Sequence, residues 1–162
     1  MSSIRVSIDG ETEELLAKLN GLAGIDKAGI NNALAEALRT GTVERFESGQ
    51  SPEGANWPRS IRGGTTLVLT GALKNSINAR SSAEGAEVGT NLIYAATHQF
   101  GASGRTIRAK NKPFLKFQAG GRWIRKKQVT VNIPARPFLG VSDSDRQAIR
   151  EIVETAIAEA GS

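Results

Sequence analysis

The sequence predicts an α+β fold built as a single domain over residues 1–162. Its predicted parts are a small antiparallel β-sheet, a long helix in the N-terminal half, a short central helix, a C-terminal helix and a protruding basic β-hairpin. Three observations support this prediction. Apolar residues recur at helical spacing towards both ends of the chain, short runs between them alternate with a period of two, and glycine-rich turns separate those runs. A chain of 162 residues is also the size of one domain and can bury a hydrophobic core.

The N-terminal part is predicted to contain one strand followed by two helices. Residues 2–8 alternate between apolar and polar side chains, as in a half-buried strand, and residues 12–22 place leucines at helical spacing. Asp26 is positioned to cap a longer helix that runs to about Phe46. The apolar face of this longer helix is formed by Ile30, Leu34, Leu38 or Ala37, Val43 and Phe46.

The centre of the chain is predicted to be a loop followed by short elements. Residues 47–65 are rich in Gly, Pro, Ser and Asn, a composition typical of loops. The elements expected after the loop are a short helix around residues 70–76, strands at residues 77–82 and 86–89, and a short helix over residues 94–100 that Gly101 ends.

The last third predicts a hairpin and a final helix. Two strand-like runs, residues 113–118 and 122–133, flank a glycine-containing turn at residues 119–121. The end of the second run alternates strictly between apolar and polar residues, which indicates a strand with one buried face. Ser142 is placed to cap the last helix. The apolar stripe of that helix is Ala148, Ile149, Ile152, Val153, Ala156, Ile157 and Ala160.

The charge distribution is uneven along the chain. The formal net charge is +5 and the calculated pI is near 9.9, yet residues 88–142 contain no Asp or Glu at all. Because no acid lies between them, the fields of the basic residues in this stretch add. The resulting candidates for a DNA-facing or protein-facing surface are Arg105, Arg108, Lys110, Lys112, Lys116, Arg122, Trp123, Arg125, Lys126, Lys127 and Arg136.

Three interpretations of this basic arm, about residues 104–133, remain open on the sequence. Its Arg and Lys residues suit a phosphate backbone, from which they would release counterions. They equally suit an acidic protein neighbour, with Trp123 as a buried anchor. The third interpretation is a solvated hairpin with Phe114, Phe117 and Trp123 packed underneath. Base-specific recognition is not expected, because the signatures of helix-turn-helix, finger and single-strand platforms are missing.

Composition argues against most catalytic chemistry. The chain has no cysteine, which excludes disulfides, thiolate zinc sites and a Cys nucleophile. Its single histidine, His98, lies in the acid-free stretch, so a structural or interface role is favoured. The alternative is a catalytic His98 in a small nuclease or hydrolase. The glycine pairs at residues 63–64 and 101–104 lack the lysine-serine ending of a nucleotide-binding loop. We therefore expect no enzymatic activity, no metal and no cofactor.

The chain shows no targeting signal of its own. Residues 1–10 lack the apolar core of a signal peptide, and no apolar run approaches the length of a membrane span. We expect synthesis in the cytoplasm and no membrane partner.

Several short motifs occur in a defined order. They are SPEG at residues 51–54 followed by Trp57-Pro58, LTGALKNSI at 69–77, VGTN at 88–91, YAATHQFG at 94–101 and IPARPFLG at 133–140. Together these motifs, covering roughly residues 43–140, resemble the phage virion morphogenesis, or tail-completion, family of tailed phages, including Mu-like phages. Residues 60–66 depart from the family pattern, because this part of the loop is short.

The resemblance implies a single tail-completion domain that acts as a structural subunit of the virion, at the head-to-tail junction or neck. Such a subunit would form a ring, expected to be a hexamer, around the DNA path. Its expected partners are other copies of itself, phage connector or adaptor proteins, tail terminator or tail tube proteins, and packaged DNA through non-specific contact. The alternatives are a nucleic-acid-binding protein that uses the basic arm, and a capsid-assembly factor that is not retained at the neck.

The motif residues carry structural expectations as well. The aromatic ones, Trp57, Tyr94, Phe100 and Phe138, are expected to pack in the core. For Arg136 two interpretations are equally favoured: a buried ion pair, or a guanidinium held towards an interface by the flanking prolines. The family-motif residues are Trp57, Gly71, Tyr94, His98, Gln99, Phe100, Gly101, Pro134, Arg136, Pro137 and Phe138.

Overall fold

The structure, a computed structural model, describes residues 25–60, 63–82 and 84–160. The strand and helix predicted for residues 2–8 and 12–22 lie outside these ranges. The described chain is α+β, as predicted. Its elements in order are α1 (Lys27–Ser48), α2 (Ala72–Asn75), β1 (Asn78–Ser82), β2 (Gly85–Gly89), α3 (Ala95–Phe100), β3 (Ala102–Arg108), β4 (Leu115–Ala119), β5 (Arg122–Lys126), β6 (Gln128–Ile133) and α4 (Asp143–Ala160).

Helix α1 begins and ends as its sequence predicts. Asp26 caps it by accepting a hydrogen bond from the Gly29 backbone N–H at 2.9 Å. Gly49 ends it in the left-handed conformation, with φ 70°, and its N–H donates to the Arg45 carbonyl at 2.8 Å. The buried face includes the predicted Ile30, Leu34, Leu38 and Phe46, so the predicted helix is confirmed.

Helix α4 packs on α1 and closes the core. Ser142 caps it, since the Ser142 Oγ accepts from the Asp145 N–H at 3.2 Å. Ile149 and Val153 of the predicted stripe are fully buried, whereas Ala160 at its end is exposed. The buried core joins these helices to the rest of the chain through Ile30, Leu34, Leu38, Phe46, Trp57, Leu73, Ile77, Val88, Ala95, Phe138, Leu139, Ile149 and Val153.

Strands β1 and β2 form an antiparallel hairpin that lies on α1. Asn78 pairs with Gly89 at one end and Ser82 with Gly85 at the other. Two side chains of α1 bind the ends of β1: the Asn31 Nδ2 donates to the Ser82 carbonyl at 2.7 Å, and the Arg39 Nε donates to the Ile77 carbonyl at 3.2 Å. These two hydrogen bonds therefore fix the position of the hairpin along α1.

The strands described form three separate two-stranded ladders, where the sequence predicted one small sheet. The run 122–133, predicted as one strand, breaks at Lys127 into β5 and β6. The two halves have different partners, because β5 pairs with β4 while β6 pairs with β3. The tight β4–β5 turn consists of Gly120 (φ 57°) and Gly121 (φ 75°), the positive φ values that a two-residue hairpin turn favours.

Within residues 102–133, the β4–β5 hairpin is therefore inserted, along the chain, between the paired strands β3 and β6. The protrusion of this hairpin from the domain stays a prediction. Among the helices described, none combines the length and the apolar character needed to cross a bilayer.

Candidate functional site

Three of the ordered sequence motifs meet at one place in the fold. We call this place the motif cluster and define it as Trp57, residues 94–101 and residues 134–140. The Gln99 side chain donates from Nε2 to the Leu139 carbonyl at 2.8 Å, and its Oε1 accepts from the backbone N–H groups of Phe138 and Leu139, each at 3.0 Å. The His98 carbonyl accepts from the Arg136 N–H at 2.7 Å. Helix α3 therefore holds the extended proline-containing segment through the Gln99 side chain and one backbone hydrogen bond.

An aromatic trio forms the apolar side of the motif cluster. The rings of Phe46 and Trp57 meet edge to face with centroids 5.6 Å apart, and those of Phe46 and Phe138 lie 5.3 Å apart. The Trp57 Nε1 donates to the Pro137 carbonyl at 2.8 Å, so its only polar atom is satisfied within the fold. Trp57 and Phe138 lie in the core, as expected.

The other two aromatic residues of the motifs, Phe100 and Tyr94, do not lie in the core. Phe100 is 68% exposed and Tyr94 is 42% exposed, so the expectation that they pack in the core is wrong. Phe100 is the last residue of α3, and the side chain of the preceding Gln99 takes the inward position. A helix of six residues has only one buried face, which Ala95 and Gln99 occupy.

The glycine that ends α3 is required by close packing. Gly101 has φ 73°, and a Cβ there would lie 2.7 Å from the Ile133 carbonyl oxygen and 2.8 Å from the Ala135 nitrogen. Both neighbours are backbone atoms that cannot rotate away. Gly71 has a related role, because its φ of 73° starts α2 in a conformation that L-residues rarely adopt. Pro134 is exposed and Pro137 half-buried, on either side of Arg136.

Arg136 is buried, with 7% of its surface exposed, so it does not belong to the exposed basic arm. Its Nε donates to the Pro58 carbonyl at 2.8 Å and its Nη2 to the Arg59 carbonyl at 3.3 Å. The predicted buried ion pair is not found, since no carboxylate within the ranges described forms an ion pair with it. The alternative, a guanidinium held towards an interface, stays a prediction. Burial lowers the pKa of the Arg136 guanidinium, but an arginine stays protonated in proteins, so the group keeps its charge.

A pocket of about 230 Å³ lies against Arg136. Tyr94 and His98 line one side of it, with their rings edge to face and centroids 6.0 Å apart. Leu67, Leu69 and Leu73 contribute apolar walls. No group of three or more His, Asp or Glu residues able to hold a metal ion occurs in the described part of the chain, so His98 has no metal-site neighbours there.

A buried ion pair that the sequence did not predict joins α1 to α4. The Arg45 Nη2 contacts the Asp145 Oδ2, and the Arg45 Nη1 donates to the Phe138 carbonyl at 3.0 Å. Burial lowers the pKa of Arg45, while the charge of Asp145 opposes that shift. Gly41 leaves room for this carboxylate, because a Cβ at position 41 would collide with the Asp145 Oδ1. The sequence offered only Asp145 in the first turn of a helix, which the helix dipole alone explains.

The remaining surface candidates lie on the strands of residues 102–133 and on the segments that connect them. Every candidate base from Arg105 to Lys127 is exposed. Trp123 is 65% exposed with the Lys116 Nζ 4.7 Å above its ring, and Phe114 is exposed as well, whereas Phe117 is half-buried. The interpretation in which all three aromatics pack underneath is therefore wrong for Phe114 and Trp123.

Comparison with known proteins agrees with this arrangement of motifs. The sequence profile of the phage virion morphogenesis family matches residues 9–158. The chain is 32% identical over 145 residues to the Mu-like prophage FluMu G protein 2 of Haemophilus influenzae, covering 88% of each chain. It is 26% identical over 170 aligned positions to the putative capsid assembly protein G of Escherichia phage Mu, covering 97% of this chain and 96% of that one. No solved structure matches. The chain belongs to the phage virion morphogenesis family.

Proposed function

We propose that this chain is a non-catalytic subunit of the head-to-tail junction of a tailed phage. In this role it forms a ring that completes the connector or the tail and supports head–tail joining around the DNA path. Membership of a virion morphogenesis family supports a structural part in particle assembly, and one relative is named as a putative capsid assembly protein.

The observation that carries the proposal is the uneven distribution of charge along the chain. Residues 88–142 carry ten Lys and Arg residues and no acid, whereas the rest of the chain carries eleven bases and sixteen acids. The net charge of +5 is therefore +10 within this stretch and −5 outside it. A subunit whose segments carry opposite net charge suits head-to-tail contacts between copies, which close into a ring when the rotation allows.

The motif cluster supplies the rigid part of such a subunit. In it, the Gln99 and Trp57 side chains hydrogen-bond to the backbone of the extended 134–140 segment, and the cluster contains no exposed charged group. The basic arm remains exposed for a neighbour or for DNA. Recognition by charge and by exposed aromatic side chains is a binding function, and it requires no catalytic group.

Locating the subunit in intact virions tests the proposal. Phage carrying an epitope fused to the C-terminus of this chain would be imaged by electron microscopy with a labelled antibody fragment, using untagged phage as the control. We expect label at the head–tail junction only. Phage that lack the gene should accumulate separate heads and tails, and the wild-type gene supplied in trans should restore joining. Infectious particles without any copy of this protein would contradict the proposal, and would favour a capsid-assembly factor that is not retained.

The second candidate function is non-specific nucleic-acid binding. The observation that favours it is the exposure of the whole set of arm bases together with Phe114 and Trp123, since exposed cations and aromatic rings both contact nucleic acids. The salt dependence of duplex binding distinguishes this function from protein docking.

A further inference from the structure

The Arg136 pocket combines a buried cation, which has no counter-ion among the residues that the structure describes, with an exposed apolar rim. Buried charges in proteins are normally paired, because an isolated ion in an apolar environment is strongly disfavoured. Arg136 is 7% exposed and its guanidinium bonds only to the neutral carbonyls of Pro58 and Arg59 within the described ranges. These two bonds satisfy hydrogen-bonding capacity but leave the positive charge without a counter-ion.

The rim of the pocket has the composition of a protein interface. Leu69 and Tyr94, which both line the pocket, are 70% and 42% exposed. Ile93, adjacent to Tyr94 in the chain, is 93% exposed. Large apolar side chains grouped around a cavity mark interaction sites on soluble proteins, and Tyr and Arg are the residues most enriched at the energetic centres of interfaces.

We propose that the Arg136 pocket is the contact site for a second copy of this chain, which inserts a carboxylate-bearing side chain opposite the guanidinium. The inference rests on the proposed ring, because a ring of identical subunits needs one receiving and one inserted surface on each copy. Charge complementarity identifies the occupant: the pocket presents a lone cation, and the part of the chain outside residues 88–142 carries an excess of five acids over bases. A second copy therefore supplies the missing carboxylate.

Thr70 offers a test that leaves the fold intact. This exposed residue lines the pocket, and its Oγ1 accepts from the Ala72 N–H at 3.3 Å at the start of α2. Asp and Asn can both accept that hydrogen bond, but only Asp adds a carboxylate to the pocket that Arg136 also lines. Thr70→Asp should therefore neutralise the pocket from within the same subunit, and Thr70→Asn is its matched control.

The measurement is the molar mass of the full-length protein by light scattering across a concentration series at low salt. We expect the wild type and Thr70→Asn to associate, and Thr70→Asp to associate at least about tenfold more weakly. Leu69→Ser should weaken association similarly, whereas Phe114→Ser, on the basic arm, should not. Circular dichroism should show unchanged melting for all four variants, because the substituted side chains are exposed.

Mixing Thr70→Asp subunits with wild-type subunits distinguishes a head-to-tail contact from a pocket-to-pocket contact. A Thr70→Asp subunit retains its inserted surface, so it should still bind the free pocket of a wild-type subunit and limit the growth of the assembly. Association of Thr70→Asp as strong as that of the wild type, or a wild type that stays monomeric throughout the series, would overturn the inference. Neither result bears on the presence of the protein at the junction of intact virions, which tests the proposed function separately.

Discussion

The side-chain amide of Gln99 is hydrogen-bonded in both directions to the backbone of Leu139. Its Nε2 donates to the Leu139 carbonyl at 2.8 Å and its Oε1 accepts from the Leu139 N–H at 3.0 Å. The same oxygen accepts from the Phe138 N–H at 3.0 Å. Residues 138 and 139 lie outside the described strands, so this side chain does for them what a neighbouring strand would do. Glutamine is suited to this position because its amide carries both a donor and an acceptor.

Replacing Gln99 with Ala should destabilise the fold strongly. The change leaves two backbone N–H groups and one carbonyl buried without partners, so the free energy of unfolding should fall by about 2–4 kcal/mol. Urea denaturation followed by tryptophan fluorescence measures this change. Gln147→Ala, an exposed substitution on α4, is the control and should stay within about 0.5 kcal/mol of the wild type. Equal urea midpoints for Gln99→Ala and Gln147→Ala would show that Gln99 does not hold the segment.

Loss of the Asp145 carboxylate should lower the free energy of unfolding, because it leaves the buried Arg45 cation without its ion-pair partner. Asp145→Ala removes the partner of Arg45 and also the acceptor of the Ser142 N–H at 2.8 Å. We expect the free energy of unfolding to drop by about 3–5 kcal/mol, the range for breaking a buried ion pair. The control is Asp143→Ala in the same helical turn, where the exposed carboxylate contributes only about 0.3–1 kcal/mol through the helix dipole. Chemical denaturation of both variants provides the comparison.

The double variant Arg45→Met with Asp145→Leu separates charge from packing. Because it removes both buried charges together, it should recover most of the stability that Asp145→Ala loses. A double variant no more stable than Asp145→Ala would mean that the hydrogen bonds of Arg45 to Phe138 and Thr42 matter more than its charge. The same denaturation measurement decides between the two explanations.

The elements that the sequence predicts well are those specified by neighbouring residues. The Asp26 cap, the Ser142 cap and the Gly120–Gly121 turn each depend on residues within a few positions, and all three occur in the structure. Periodicity likewise predicts the buried face of α1. The resemblance to a family can be detected from the sequence because the family motifs are contiguous short segments.

Features that depend on distant residues were missed. The Arg45–Asp145 pair joins positions 100 residues apart, and nothing near either residue indicates the other. The break at Lys127 has the same origin, because the register of β6 is set by its pairing with β3. The burial of Arg136, with no carboxylate partner in the described part of the chain, could not be read from its flanking prolines, since it follows from the position of the Pro58 and Arg59 carbonyls.

The two tryptophans should respond differently to the same conservative substitution. Trp57→Phe loses the hydrogen bond to Pro137 and part of the contact with Phe46, so it should cost about 1–3 kcal/mol of unfolding free energy. Trp123→Phe changes an exposed ring and should stay within about 0.5 kcal/mol. Acrylamide quenching gives an independent check, because each variant retains a single tryptophan. Trp57, which remains in Trp123→Phe, should be protected, and Trp123, which remains in Trp57→Phe, should be quenched. Equal quenching in the two variants would contradict the described burial.

The basic arm gives the last prediction, which separates DNA contact from protein docking. If the arm faces a phosphate backbone, the purified protein should bind duplex DNA of any sequence, with a log–log salt slope of about −0.9 for each phosphate contacted. Replacing Arg125, Lys126 and Lys127 with Gln should flatten that slope by up to about 2.7. The matched control replaces Lys27, Arg80 and Arg146, three exposed bases outside the arm, and so changes the net charge equally. Fluorescence anisotropy with a labelled duplex at several salt concentrations measures the salt slope of both triple variants.

Equal weakening of DNA binding by the two triple variants would mean that net charge alone governs binding. An arm variant that binds DNA normally but fails to restore head–tail joining in phage lacking the gene would instead identify the arm as a surface for a protein neighbour.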